Sequence, residues 1–399
     1  MPSLTLPPPA VAAPTQVSAA RGPLSCRPLS LSEIPRDACD RLLAASPQAT
    51  PFARWSFHRA WWDAYGSTAH EQYLVCGPAG SDEIQAIVPL MHRHEAEPED
   101  DLTATVLRRH HASLGTAVAG EAKAIFFGAS YHADYATLLC APAEVPAAAD
   151  ALAEMLTAPS DPEHGNQPWD VVDLRRLRAA DPVLPALHSA FDQRAPDHAW
   201  QVIREPEDVC PVITIGEGQG DWDAYLAMLD KKARHEIRRK LRRAQGAGEL
   251  SVEIAAPTPE AIEGFIDLHT RRFGDEGLFP PTEGGARSRR FVHRLAQLES
   301  AESDGGLLHI AQVCSGERLI YAALAFDDGQ TCYLYNAGMD PDAADLSPGV
   351  TGTALYIRNR LEAGRRRFDF LRGAEEYKYE WGAQDEVIER LLVLRGGAA

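Results

Sequence analysis

The chain has little that would tie it to a membrane, a metal ion or an oxidising compartment. No apolar run among its 399 residues approaches the roughly 20 residues that a membrane-spanning helix requires. Its seven cysteines, at positions 26, 39, 76, 140, 210, 314 and 332, are odd in number and scattered, and no Cys-x-x-Cys occurs. That pattern lacks a zinc signature and predicts reduced thiols in a cytoplasmic protein with no metal. Two nucleotide signatures are also missing, since there is no Walker sequence and no complete Gly-x-Gly-x-x-Gly. The start of the chain has no basic segment, and prolines interrupt every apolar stretch there. Residues 1–23 therefore read as a disordered Pro/Ala-rich tail rather than a signal peptide. Cations are scarce, and a net charge of −18 argues against nucleic-acid binding by the surface as a whole.

What is present suffices for two cores. A hydrophobic content of 45% over 399 residues exceeds one ordinary domain, and the division expected is 24–204 and 205–399. In the first part, Ile34 to Ala45 and Phe52 to Tyr65 have helical spacing. Trp55, Trp61 and Trp62 can stack on a ligand, but aromatics at that spacing more often fill a core. Tyr73 to Cys76 and Ile84 to Met91 flank Gly77-Pro78-Ala79-Gly80 and read as a hairpin. His92-Arg93-His94 and His110-His111 lack supporting ligand spacing and read as solvated strand ends. Ala147 to Leu156 is helical, and Val171 to Leu174 reads as a buried strand after the loop 159–168.

In the second part the longest helical pattern is a basic helix over 221–244, with Asp221 as its cap and Trp222, Leu226, Leu229, Ala233, Ile237 and Leu241 as a narrow apolar stripe. Cations near a helix C-terminus are favourable there with the macrodipole, and the same residues can dock a polyanion. A strand at Ser251 to Ile254, helices at Thr258 to Phe273 and Ser288 to Leu298, and a strand meander at Leu307 to Val313, Arg318 to Phe326 and Gln330 to Asn336 follow. Asp275 to Gly285 reads as a Gly/Pro loop able to act as a lid. Val387 to Leu394 reads as the last strand.

The segment Asp340 to Gly382 organises the rest. A helix from Gly349 to Ala363 opens through Ser347-Pro348-Gly349, and a strand, Arg367 to Leu371, follows it. A helix start leaves N–H groups unpaired and carries partial positive charge, which suits phosphate. Gly349 and Gly352 have no Cβ to keep a ligand off the backbone. An ordinary helix start uses the same residue types.

Several stretches together resemble one family. They are Leu229 to Arg239; Leu268-His269-Thr270-Arg271-Arg272-Phe273; Ser347-Pro348-Gly349; and Phe368-Asp369-Phe370-Leu371-Arg372-Gly373 followed by Glu376-Tyr377-Lys378-Tyr379-Glu380-Trp381-Gly382. The first part adds Trp55 to Trp62 and Asp134-Tyr135. The chain resembles the CelD-like (cellulose-biosynthesis-associated) acetyltransferases of the GNAT superfamily, related to the Fem-type aminoacyl transferases. The resemblance implies an α+β protein of tandem GNAT-like domains, each a mixed, mostly antiparallel sheet flanked by helices. It implies acetyl-CoA or another acyl-CoA as co-substrate and an amine acceptor, such as a small molecule or an envelope or polysaccharide precursor. Simple GNAT enzymes often carry Arg/Gln-x-x-Gly-x-Gly/Ala at the pyrophosphate loop, where this chain has Leu346 to Gly352.

Direct transfer from thioester to amine needs donor positioning, a route for the amine proton and charge stabilisation. Ser347, Pro348, Gly349, Val350, Thr351 and Gly352 are expected at the diphosphate, and Tyr335 and Asn336 at the pantetheine arm. Tyr377 or Tyr379 suits the acid for the leaving thiolate. Lys378 can stabilise negative charge, and His269, Asp369, Glu375, Glu376 and Glu380 are candidate bases. Arg272, Arg372, Tyr379 and Trp381 are expected to bind substrate. Two other functions fit the same residues: a Fem-type aminoacyl-tRNA-dependent peptidyl transferase, favoured by the basic helix, and a non-catalytic scaffold that binds protein.

Overall fold

Strand-forming runs and helical runs follow one another in an order that occurs twice along the chain. The computed structural model describes residues 23–93, 123–129, 132–157, 169–216 and 220–395. Most of the expected tail, His94, His110-His111 and the whole of the loop 159–168 lie outside them. The first half runs β1 (Leu24–Leu29), α1 (Arg36–Ala45), α2 (Trp55–Tyr65), β2 (His70–Glu71), β3 (Tyr73–Pro78), β4 (Ala86–Val88), β5 (Leu90–Arg93), β6 (Ala124–Phe127), β7 (Leu139–Cys140), α3 (Val145–Thr157), β8 (Val171–Arg178), α4 (Val183–His198) and β9 (Trp200–Thr214). Helices α5 (Trp222–Met228) and α6 (Lys231–Ala247) lead into the second half. There the order returns as β10 (Leu250–Ala255), α7 (Pro259–Phe273), α8 (Glu283–Ser300), β11 (Leu308–Ser315), β12 (Arg318–Asp327), β13 (Thr331–Met339), α9 (Pro348–Glu362), β14 (Arg367–Asp369), α10 (Glu376–Tyr379) and β15 (Gln384–Arg395). Strand, two helices, strands, crossover helix, strand, helix, strand is common to both halves, so the α+β tandem expected from the sequence is the architecture.

Among the described residues, one sheet runs β10-β11-β12-β13-β14-β9-β15-β8-β6-β5-β2, and a smaller one runs β1-β3-β4-β7. Neighbours are antiparallel except β6–β8 and β13–β14, one parallel pair in each half. Helices α3 and α9 make the crossovers that parallel pairing requires. The expected division at 204/205 falls inside β9. That strand pairs along its length with β15, the last strand of the chain, and at its far end with β14.

The expected helix over 221–244 is two helices. Leu229 leaves α5 in an extended conformation, and the Asp230 carboxylate caps α6 by accepting from the amides of Lys232 (2.6 Å) and Ala233 (2.9 Å). A carboxylate at an N-cap is favoured there over continuation of the helix. The stripe predicted for one helix is therefore shared by two, with Leu226, Leu229, Ile237 and Leu241 buried in one cluster under α9.

Three clusters form the core, and the first of them fills the seam between the halves. Phe52 lies 5.8 Å from Phe326 and 5.9 Å from Tyr335 between ring centres, and Phe57 lies 5.2 Å from Phe291. Trp61 and Trp62 are buried in this cluster, so the helical-spacing aromatics are core residues. The Arg54 guanidinium meets Glu299 (3.1 Å) and Asp304 (3.3 Å) across the same seam. The expectation of seven reduced thiols needs correction at one pair. The β1–β3 register sets Cys26 opposite Cys76, and the two form a disulfide. Their separation in sequence hides a proximity that the strand register creates. No helix among the described residues is long and apolar enough to cross a membrane.

The β8–β15 junction carries a buried charge cluster. Asp173 accepts from Arg390 (2.6 Å) and from Arg175 (2.9 Å). Although burial opposes its charge, the two guanidiniums hold its carboxyl well below the usual carboxylate range. Asp173→Ala leaves two cations in the sheet without this partner. It is expected to cost about 3–5 kcal/mol, read as a lower urea midpoint in equilibrium unfolding.

Candidate active site

The site begins where two strands part. β13 and β14 pair only at Thr331–Arg367, Cys332–Phe368 and Tyr333–Asp369. β13 continues along β12 to Met339, whereas β14 stops at Asp369. From Leu334 to Ala337 the β14 side of β13 therefore has no strand partner, and its backbone faces a cleft. A register shift opposite Leu324 and Ala325 leaves Tyr335 without a counterpart on β12. The cleft measures about 1170 Å³ and reaches residues of both halves.

Two buried charges hold the turn that ends β14. The carboxylate of Asp369, 1% exposed, accepts from the Tyr135 hydroxyl (2.8 Å) and the Leu371 amide (2.8 Å). Burial raises its pKa to about 6, with these two hydrogen bonds and Arg367 opposing the rise. The Lys378 ammonium donates to the carbonyls of Leu371 (3.1 Å), Arg372 (2.9 Å) and Gly373 (3.0 Å), and Glu375 lies 2.8 Å away. Leu371 (φ 57°) and Gly373 (φ 109°) are both left-handed, a strained conformation for leucine. Three converging carbonyls need a cation, and Lys378 supplies it. The expectation of Asp369 as a base is corrected, because it does not reach the cleft. Lys378 lines the cleft, but its donors are engaged by the turn.

The start of α9 divides the expected diphosphate residues into two groups. Gly349 and Val350 line the cleft. The first intrahelical bond runs from the Thr351 amide to the Ser347 carbonyl (2.9 Å), so the two preceding N–H groups are helix orphans. The others face elsewhere. Ser347, at φ 50°, does not cap the helix with its side chain, and its hydroxyl accepts from Arg243 (2.6 Å). Thr351 donates its hydroxyl to the Leu346 carbonyl (2.7 Å), and Pro348 is buried. A Cβ on Gly352 would stand 2.2 Å from the Tyr321 ring, so that glycine admits the sheet against the helix rather than a ligand.

His269, the other candidate base in the cleft, is held at both nitrogens. The Leu278 amide can only donate, so Nε2 accepts from it (3.0 Å), and Nδ1 carries the proton given to the Ala337 carbonyl (3.3 Å). Burial lowers the imidazole to about 4. His269 thus pins the loop 274–282 to β13 as a neutral ring. Glu376 is exposed outside the cleft, and Tyr379 donates to Asp385 (2.7 Å) instead of entering it. Tyr377, half exposed in the cleft, stands edge-on to Phe370 at 6.3 Å. The surrounding apolar wall and then Glu375 push its phenol above the usual range. Arg272, Arg372, Trp381, Tyr335, Asn336, Glu375 and Glu380 also line the cleft. Of these, Arg372 pairs with Asp134 (3.1 Å), Tyr335 donates to the His132 carbonyl (3.0 Å), and the Asn336 side chain accepts from the Ala337 amide (2.9 Å).

The sequence did not mark the wall made by Tyr65, Thr68, Arg93 and Ser288. Tyr65 is hydrogen-bonded to Ser288 (2.9 Å) and to His132 Nε2 (2.9 Å). These residues are distant in sequence, and Arg93 stood in His92-Arg93-His94, which reads as a solvated strand end, so nothing in the spacing marked them.

Two outcomes test this division. Gly352→Ala is expected to destabilise the protein by about 1–3 kcal/mol. Gly349→Ala changes stability little, since the added Cβ meets the flexible end of Met339 at 3.1 Å. Urea unfolding of both checks this. For Asp369 the folded pKa of about 6 exceeds the unfolded value of about 4, so the native state binds more protons between them. Its contribution to stability falls as pH rises through that window. The stability of wild type relative to Asp369→Asn should drop by about 2 kcal/mol from pH 4 to pH 6 and level off above about pH 7, measured by urea unfolding at stepped pH.

The comparisons with known proteins agree with this geometry. Residues 231–379 match the family model described as an acetyltransferase (GNAT) domain. The fold is similar to the crystal structure of FemX, with a TM-score of 0.56 at 10% identity, over 90% of this chain and 96% of that one. It is similar also to a conserved protein of unknown function from Bacteroides thetaiotaomicron, with a TM-score of 0.53 at 11% identity, over 91% and 98% of the two chains. No curated protein matches the sequence. Residues 231–379, within the second half of the chain, are thus similar to a GNAT-type acetyltransferase domain, in a fold similar to that of the two structures.

Proposed function

We propose that the protein is an N-acyltransferase that passes an acyl group, acetyl in the simplest case, directly from coenzyme A to an amine. The acceptor is a small molecule or an envelope or polysaccharide precursor. The observation that carries this is the meeting, in one cleft, of the orphan amides of Gly349 and Val350 with the unpaired edge of β13. A diphosphate suits the amides, and the pantetheine amides suit the strand edge. The thioester carbonyl then lies near Tyr377. The amine nitrogen attacks it, the C–N bond forms and the C–S bond breaks. The phenol of Tyr377, kept protonated by its surroundings, gives its proton to the leaving thiolate. Of the bases named from the sequence, Glu380, which lines the cleft with no ion pair among the described residues, is the one left to accept the amine proton. His269 and Asp369 are excluded by the contacts already described.

A second reading draws on one further observation. α6 carries the basic cluster, and its Arg243 reaches Ser347 at the start of α9 (2.6 Å). A polyanion along α6 would thus lead to the same cleft, as an aminoacyl-tRNA would in a Fem-type transferase. Salt-dependent gel shifts with tRNA separate the two, because no binding at low salt removes the RNA.

Coenzyme A at about a hundred times its dissociation constant should stabilise the fold by roughly 2.7 kcal/mol, visible as a higher melting temperature. The absence of any shift at millimolar coenzyme A or acetyl-CoA would leave the scaffold reading in its place. Tyr377→Phe is expected to lower kcat by about 100-fold at unchanged melting temperature, measured by thiol release.

A further inference from the structure

We propose that the acceptor carries a carboxylate besides its amine, so that it is an amino acid or a close relative, and that Arg93 binds this carboxylate. The inference rests on the acyltransferase reading above and concerns the other wall of the same cleft. Arg93 is the last residue of β5 and lines the cleft beside Thr68 and Tyr65. It is 5% exposed, yet no carboxylate pairs with it among the described residues. Its Nη2 lies 3.4 Å from the Thr68 hydroxyl, while Nε and Nη1 have no hydrogen-bond partner. The Trp61 ring, 5.9 Å from the guanidinium carbon, gives weak cation–π support.

Four other arginines with little exposed side chain are neutralised. Arg54 has Glu299 and Asp304, Arg175 and Arg390 share Asp173, and Arg372 has Asp134. A guanidinium is always charged, and taking it from water without a counter-charge is costly. A fold that accepts this cost on the wall of its main cleft is arranged for an anion that arrives from outside. The chain's own carboxylate in the same wall, Asp134, is already held by Arg372.

The charge balance selects the anion. One uncompensated guanidinium matches one carboxylate. A phosphate dianion would bring a second negative charge that Arg93 alone does not match, and Arg372 and Lys378 in the same lining are already paired with Asp134 and Glu375. With the donor amides supplied by the second half and Arg93 by the first, the halves divide the two substrates between them. An acceptor anchored at Arg93 by its carboxylate presents its amine to the donor thioester.

The test uses matched pairs with and without the carboxylate: glycine against methylamine, β-alanine against ethylamine, and L-lysine against cadaverine. Each is offered to the full chain with acetyl-CoA, and inorganic phosphate is added separately in thermal shift. Carboxylate-bearing members should be acylated with kcat/KM at least about tenfold above their partners, and Arg93→Met should erase that preference. In the ligand-free chain Arg93→Met should raise the melting temperature, because it removes an unpaired buried charge. No preference, or a preference that survives Arg93→Met, would overturn the assignment. So would phosphate stabilisation that depends on Arg93, which would indicate a phosphorylated acceptor. A fall in melting temperature would also overturn it, by showing that Arg93 has a partner within the chain. Coenzyme A binding, followed in parallel, separates the failures: no coenzyme A shift sinks the donor reading, whereas a shift without carboxylate preference sinks only this one.

Discussion

β13 and β14 run side by side for three residue pairs and then separate, and the cleft exists because they do. A parallel pair that parts inside a sheet exposes backbone groups that would otherwise be satisfied, a state native proteins avoid unless something else bonds there. The parting is enforced. Asp369 and Lys378 clamp the turn after β14 from two sides, one accepting a backbone amide and the other donating to three carbonyls. Both charges are buried, and both are satisfied by the polar groups that the turn itself brings in. The chemistry proposed for the cleft therefore depends on residues that need never touch a substrate.

The second constraint is the joining of the halves. One sheet passes through both of them, and β9 and β15 bind along their whole length at the centre. On one face of that sheet the Phe52, Phe57, Phe291 and Phe326 rings close the seam, and Arg54 with Glu299 closes its rim. Tyr135 of the first half reaches Asp369 of the second. Burial of that hydrogen bond ties the geometry of the turn to the packing of both halves. The cleft is thus shared property, with helix amides on one side and Arg93 on the other.

Much of the secondary structure could be read from pattern. The apolar runs of β11, β12 and β13, the helix after Ser347-Pro348-Gly349 and the core character of the tryptophans follow from periodicity and turn residues. The break between α5 and α6 was missed because the apolar stripe continues through it, while the Asp230 cap acts only through backbone geometry. The site was less readable. Asp369, Lys378 and His269 are residue types that serve catalysis, but each is consumed by backbone partners up to 68 positions away. Gly352 looks like Gly349 in one dimension; a tyrosine ring on a neighbouring strand distinguishes them. Arg93 stood in a motif dismissed as a solvated strand end, and its burial reversed that meaning.

Local chemistry therefore settled what local chemistry can: two halves of like order, a helix start with orphan amides, and a family of acyl-transfer folds suggested by short motifs. Which polar groups face a ligand and which are spent on the fold depended on the folded chain. A side chain's role is set by the partners that reach it first. Those partners come from strands paired in register and helices packed across a sheet, and their nearness to one another is not written in the spacing of residues along the chain.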